Sequence, residues 1–269
     1  MAPSNIYLDL TREFNSGRTR AVVCSGQAVV LHRLAIMSKD GDWVLRDDEE
    51  ALSHVLRVLA ARGAGYRFGA PLDLRWLREG WSAHLEFRHG PLRVRTDFFT
   101  RPPRLSPEEL DRLWHDSEGC EIPYVNLRHL ALLKRTNREK DYAVIGGIAR
   151  RMTDPSERIL FSRSARDLLG CLRETPDLYR EIAALRPALS AASVGLEALE
   201  TALDRERRDL MHENERRLMR YERASRAWRE AWPDVSRLME GIGLLAAHDL
   251  LQDRAAGVLP FTPGERDEN

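Results

Sequence analysis

Asp40 and Asp42 alternate with a single glycine in the run Lys39-Asp40-Gly41-Asp42-Trp43, a stretch that reads as a strand, and Asp97 lies in a second strand-like run from Leu92 to Phe99. In an extended chain alternate side chains share a face, so Asp40 and Asp42 project together roughly 6.6 Å apart along the strand. A neighbouring strand would bring Asp97 to within about 4.8 Å of them laterally. Carboxylates that close repel one another unless a cation neutralises them, and hard oxygen ligands suit Mg²⁺ or Mn²⁺. The spacing therefore predicts that Asp40, Asp42 and Asp97 converge on one cleft at adjacent strands of a mixed sheet. Asp73, in Pro71-Leu72-Asp73-Leu74, competes as the third acid but ranks behind Asp97, because its surroundings alternate less clearly.

Several elements must position these acids. Arg20 to Cys24 reads as a buried strand, Ser25-Gly26 as a small-residue turn, and Gln27 to Ala35 as a helix with Ala28, Leu31, Leu34 and Ala35 on one face. The glycine allows a tight strand-to-helix turn, where backbone amides could meet a phosphate or simply allow close packing. Asp47 to Glu50 opens a further helix to about Arg62, with acids at the end where the macrodipole favours them. Trp81 to Phe87 and Leu92 to Phe99 flank His89-Gly90, which places Asp97 on the second arm of a hairpin. Ser106-Pro107-Glu108-Glu109 reads as a helix start, and helices are predicted over Asn126 to Thr136 and Arg138 to Met152.

From Asp154 onward the pattern is helical throughout. The fold class is accordingly α+β: a mixed-sheet domain over 1–153, an all-helical domain over 154–255, and a flexible Pro/Gly-rich tail over 256–269. Pro187 to Trp232 carries a narrow apolar stripe, Leu189, Ala192, Leu196, Leu199, Leu203, Leu210, Leu218, Tyr221, Trp228 and Trp232. A single helix of that length would need a neighbour or a second copy of the chain to cover it. Its charged interruption at Asp204 to Arg208 is the expected place for a break. A last helix is expected from Asp234 to Leu251.

The order of strand, Ser-Gly turn, helix, acid-x-acid strand and later strand acid resembles the signature of the nucleotidyltransferase superfamily, with its polymerase-beta-like fold. The stretch SGQAVVLHRLAIMSKDGDW is similar to predicted bacterial members near the abortive-infection toxins, and LRHLALLKRTNREKDYAVIGGI is similar to their second motif. The resemblance covers roughly residues 20 to 152. Two of the chain's three lysines, Lys134 and Lys140, fall on that second motif, as does Asp141. Two positions depart from the family pattern: Ser25 stands where the first glycine of the turn is usual, and Gly41 where an apolar residue is usual.

The resemblance implies a metal-dependent transfer of a nucleoside monophosphate, from ATP or another nucleoside triphosphate, to an acceptor hydroxyl on a protein, a tRNA or a small molecule, in a toxin–antitoxin or defence setting. It assigns Asp40, Asp42 and Asp97 to metal binding and catalysis. Ser25, Gly26, Lys134 and Lys140 would contact the nucleotide's phosphates, and Asp141 would orient a lysine. The alternative is a catalytically inactive protein of this fold that binds a partner, or a second copy, through its helical half.

Composition narrows the field further. Over 269 residues the formal net charge is zero and 43% of residues are hydrophobic, so the whole molecule carries no long-range attraction to nucleic acid or to an acidic membrane. The N-terminal stretch has no continuous apolar run, and neither a signal peptide nor a membrane contact is expected. Cys24, Cys120 and Cys171 are odd in number and widely separated, which fits a reducing, cytoplasmic compartment. The eight histidines show no paired ligand spacing of the kind that holds zinc. Trp76, Trp81 and Phe87 read as core residues rather than a base-stacking platform.

Overall fold

Alternation decides the sheet. In the computed structural model, which describes residues 5–264, Ala83, Leu85 and Phe87 are buried while His84 and Glu86 between them are half-exposed. Residues 1–4 and 265–269, and with them the outermost parts of the expected first domain and tail, lie outside the described residues. The strands are β1 (Ala21–Cys24), β2 (Asp40–Leu45), β3 (Gly65–Tyr66), β4 (Ala83–His89) and β5 (Leu92–Phe99). They form one sheet in the order β1-β2-β5-β4-β3. Only β2 and β5 run parallel within it; the β1–β2, β5–β4 and β4–β3 pairs are antiparallel. The fold is therefore α+β with a mixed sheet, as the sequence predicts.

One face of the sheet is covered by α1 (Ile6–Phe14) and α3 (Glu49–Ala61), whose apolar stripes, Ile6, Tyr7, Leu10 and Phe14 and then Leu52, Val55, Leu56 and Leu59, join one core with Trp43, Leu85 and Phe98. Trp43 stacks on Phe98 with ring centroids 5.5 Å apart, takes the edge of Phe14, and donates its indole N–H to the Thr11 hydroxyl at 3.0 Å. Between β1 and β2 the chain makes the short α2 (Ser25–Leu31). Asp48 caps α3 by accepting from the Ala51 amide at 2.8 Å, and Ser106 caps α5 (Pro107–Ser117) by accepting from Glu109 at 3.2 Å. A one-turn helix, α4 (Leu74–Leu77), follows the two-residue strand Gly65–Tyr66.

Contacts divide the chain into two units, residues 1–125 with 218–269, and residues 126–217. The expected boundary near residue 154 differs from this at both ends. The helices α6 (Leu127–Leu133) and α7 (Glu139–Ala149) belong with α8 (Pro155–Phe161), α9 (Ala165–Glu174) and α10 (Pro176–Leu185). The C-terminal α12 (Arg226–Leu238) and α13 (Leu244–Ala256) belong with the sheet-bearing unit. The reason is a second apolar cluster in that unit, in which Trp76 and Trp81 pack with Trp228, Val235, Leu251 and Leu259.

The same cluster corrects the reading of the tail. Trp76 and Trp81 donate their indole N–H groups to the carbonyls of Leu259, at 3.2 Å, and Phe261, at 2.7 Å, so the chain beyond α13 is anchored at both points. The long helix also breaks elsewhere than at Asp204 to Arg208. A 3₁₀ segment (Pro187–Ser193) ends before Gly195, whose φ of +135° no other residue type adopts readily; α11 (Leu196–Ala224) then runs unbroken to Ser225. The charges at the expected break do not interrupt it because Glu206 is paired within the helical unit, to Arg186 at 2.8 Å and to Arg163. Pro233 sits inside α12 rather than between helices, and the turn before α13 falls at 239–243, around Gly241 and Gly243. The helix expected over Asp234 to Leu251 is thus two.

Candidate functional site

The hairpin fixes the first part of the site. Gly90 takes φ +57°, the two arms pair from His89 against Leu92, and counting back along them sets His84 beside Asp97. On its other side Asp97 lies beside Asp42 of the parallel strand β2, and Asp42 beside Cys24 of β1. One rung of the sheet thus reads Cys24, Asp42, Asp97, His84. The neighbouring rung on the same face reads Asp40, Arg95, Glu86. Gly41 and Trp43 face the core, so Asp40 and Asp42 share the open face.

Gly41 is required by that core. A Cβ there would lie 2.4 Å from the Trp43 ring and 2.5 Å from the Tyr7 ring, so the volume an apolar residue would fill is already taken by these two aromatics. The Tyr7 hydroxyl donates to the Lys39 carbonyl at 2.6 Å, fixing the start of β2. Burial, with Asp40 adding to it, holds the Tyr7 hydroxyl above its ordinary pKa, so it stays a donor.

The turn before α2 has its own constraints. Ser25 takes φ +51°, the left-handed region that favours glycine, and so adopts the backbone that a glycine would supply without strain. Gly26 is demanded by close approach, since a Cβ there would lie 2.2 Å from the Ser38 hydroxyl. Gln27 donates to the carbonyls of Ser38 at 3.2 Å and Asp40 at 3.3 Å, tying α2 to the strand that carries the acids. Cys24, the residue before the turn, donates its thiol to the Asp42 carbonyl at 3.3 Å.

Sequence reasoning missed the basic side chains on this face. One Asp97 oxygen meets His84 Nδ1 at 2.8 Å and also the Arg67 guanidinium, and Arg95 approaches Asp40 at 3.8 Å. The signal was present in the hairpin, because the turn that places Asp97 also places His84 opposite it. Asp73 is a structural acid. It caps α4 through the Arg75 amide at 2.8 Å, forms a paired contact with the Arg75 guanidinium, and accepts from Gln252 at 2.6 Å.

Lys134, Lys140 and Asp141 lie in the helical unit, whereas Ser25, Gly26 and the three other aspartates lie in the sheet-bearing unit. Asp141 is buried and accepts from Thr136 at 2.6 Å, Arg138 at 2.9 Å and Lys134 at 3.3 Å. Burial alone would raise its pKa, but Thr136, Lys134 and Arg138 together hold it below the ordinary carboxylate value. Lys140 is exposed.

The residues present fit a divalent cation only in part. Among the described residues no group of three or more His, Cys, Asp or Glu side chains comes close enough to hold a metal ion, and Asp97 is engaged by Arg67 and His84. A three-carboxylate cage therefore does not fit. The pair on β2 does: Asp40 keeps a buried Oδ1 that no hydrogen bond satisfies, and Mg²⁺ is commonly held by one or two carboxylates together with the phosphates of its nucleotide.

No protein-family model matches the chain, and no curated protein does. Two solved structures resemble it. One is a provisionally assigned nucleotidyltransferase from H. pylori, at 12% identity and a TM-score of 0.38, covering 77% of this chain and 93% of that one. The other is JHP933 from Helicobacter pylori, at 13% identity and a TM-score of 0.37, covering 79% and 92%. A likeness at this level carries no argument about what this chain does. Among the described residues no helix is long and apolar enough to cross a membrane.

Proposed function

We propose that the chain is a nucleotidyltransferase that moves a nucleoside monophosphate from a nucleoside triphosphate, such as ATP, to an acceptor hydroxyl, with the open face of β2 and β5 as the reacting surface. The observation that carries this reading is the register. Asp42 lies beside Asp97, Asp40 shares their face, and the Ser25-Gly26 turn begins one residue after Cys24, the other neighbour of Asp42.

In this reading Asp40 and Asp42 hold a Mg²⁺ or Mn²⁺ ion that enters with the triphosphate; when bound, the ion supplies Lewis-acid polarisation of the phosphoryl oxygens. Asp97 positions His84 and Arg67 at the same rung, so a proton acceptor and a fixed positive charge stand beside the carboxylates. The Ser25 hydroxyl and the Gly26 backbone offer donors to the nucleotide. In the helical unit, Lys134, oriented by Asp141, and Lys140 are proposed phosphate contacts, because fixed charge and positioning supply most of the catalysis in such transfers. The acceptor is a protein, a tRNA or a small molecule, and the setting is a cytoplasmic toxin or defence system.

One observation favours the second reading, a non-catalytic protein of this fold that binds a partner or a second copy through its helical part. The Asp97 carboxylate is already paired with the Arg67 guanidinium and in hydrogen-bond contact with His84, as in a structural ion pair. Incubation of the purified protein with each labelled nucleoside triphosphate, Mg²⁺ and cell extract separates the two. Labelled product from the wild type, reduced at least about 10²-fold by Asp42→Asn, supports transfer. Equal labelling by the wild type and a stably folded Asp42→Asn variant would sink it.

A further inference from the structure

The helical unit contains a concentration of arginine that its own carboxylates do not balance. Arg186 is buried and grips Glu206 with two hydrogen bonds of 2.8 Å, while its remaining terminal nitrogen donates to the Ile159 carbonyl at 2.9 Å. Arg163 reaches the same carboxylate through one terminal nitrogen. Arg135 makes no hydrogen bond or ion pair with its guanidinium among the described residues, lying instead over the Phe161 ring with its guanidinium carbon 5.1 Å from the centroid. Two guanidinium groups share the Glu206 carboxylate and the third pairs with none, which leaves two positive charges over. Arg128 adds nothing to that balance because it pairs with Glu157 at 3.5 Å.

Two of these groups also keep buried donors with no acceptor, Nε of Arg135 and Nε of Arg163. A buried donor without a partner costs free energy, and like charges gathered away from water cost more. Burial, with Arg186 adding to it, pushes the Arg163 guanidinium down to about 10, and burial lowers Arg135 in the same direction. A helical unit held together by this cluster alone would need one guanidinium, not three. Arg135 is half-buried, and 11% of the Arg163 side chain is exposed.

We propose that Arg135, Arg163 and Arg186 form a binding site for a dianionic phosphate group, whose two charges and outward-facing oxygens match the unbalanced cations and unsatisfied donors. Guanidinium forks complement tetrahedral oxyanions in shape as well as in charge. The site does not depend on nucleotidyl transfer. Free phosphate and the terminal phosphate of a nucleotide share the chemistry that would be recognised.

The test is a thermal and calorimetric titration of the full chain with inorganic phosphate, ATP and adenosine, against potassium chloride at matched ionic strength. Phosphate and ATP should raise the melting temperature well beyond chloride, and adenosine should not. Arg135→Met should melt higher than the wild type in phosphate-free buffer, because a charge that is not compensated has gone, and should bind phosphate roughly tenfold more weakly or worse. A purely structural role predicts the reverse, a lower melting point and no phosphate response. Tighter binding of ATP than of phosphate, lost in Arg135→Met, identifies a nucleotide as the source; equal binding identifies free phosphate. A wild-type response to phosphate no larger than that to chloride overturns the proposal whether or not the variant folds. So does an Arg135→Met protein that responds as the wild type does. Asp42→Asn should leave the phosphate response intact, so a failure of transfer and a failure of this site give different results.

Discussion

Asp42 stands half-exposed on the open face of β2, level with Asp97, whereas the Asp141 side chain is 4% exposed and accepts from a threonine, an arginine and a lysine of its own unit. The two carboxylates differ in what their removal would leave behind. On the sheet, a lost charge relieves repulsion between neighbouring acids, and water can solvate what remains. Inside the helical unit, a lost charge strands Lys134 and takes one of the two oxygens on which three donors converge. The comparison teaches that acidity alone does not mark a site. An acid held by a complete set of buried partners maintains the fold, and an acid on a half-exposed face is a candidate for chemistry only where its removal leaves the fold intact.

The largest expected effect tests that contrast directly. Asp141→Asn should destabilise the protein by about 3–5 kcal/mol in urea, the usual cost of breaking a buried ion pair from one side, whereas Asp42→Asn should shift stability by less than about 0.5 kcal/mol. Equal losses from the two would mean that the open face is as structural as the helical pair. The same contrast has a pH signature. Because the folded-state pKa of Asp141 is depressed, its contribution is present in full above the unfolded carboxylate value near 3.8 and is lost as pH falls through the lower folded value. The wild type should therefore lose stability below about pH 4 more steeply than Asp141→Asn.

A smaller effect separates two leucines that sequence pattern treats alike. Leu199 is fully buried in the helical unit's core with Ile159, Leu168 and Leu203, whereas Leu196, at the first turn of α11, is 36% exposed. Leu199→Ala should cost about 2–5 kcal/mol and Leu196→Ala under about 0.5 kcal/mol by chemical denaturation. A comparable loss from Leu196 would show that its exposed face is covered in solution, as assembly with a second copy would do, and light scattering would then report the larger mass.

The acids of the open face were legible because strand alternation and a hairpin turn fix both face and register, and His89-Gly90 carries that register in plain view. Helix starts at Asp48 and Ser106 were legible for the same local reason: the cap is written within three residues of the amide it serves. Long-range choices were not. The break expected at Asp204 to Arg208 assumed those charges face water, but Glu206 is paired to Arg163 and Arg186, residues 43 and 20 positions away. The tail looked free because Pro and Gly cluster there, while its anchors are indole donors roughly 180 residues upstream, a pairing that no local pattern encodes. The Asp97 partners fell between these cases. His84 followed from the hairpin, but Arg67 lies beyond the short strand β3 and meets Asp97 only because the chain returns to pair with β4.

The smallest effect concerns Ser25, where the open face meets the turn. A non-glycine residue in the left-handed region costs roughly 1–2 kcal/mol, and glycine would remove that cost. Glycine would also add conformational freedom to the unfolded chain, worth about 0.5–1 kcal/mol in the opposite direction. Ser25→Gly should therefore stabilise the fold by no more than about 1.5 kcal/mol, read as a small rise in denaturation midpoint with an unchanged slope. Ser25→Ala keeps the strain and removes only the hydroxyl, so its stability should match that of the wild type. If the hydroxyl donates to the nucleotide, transfer should fall in both variants, whereas if the turn matters only as backbone, Ser25→Gly should transfer at least as well as the wild type. Wild-type transfer by Ser25→Ala would mean that the oxygen is not needed, and the hydroxyl's role would have to be withdrawn.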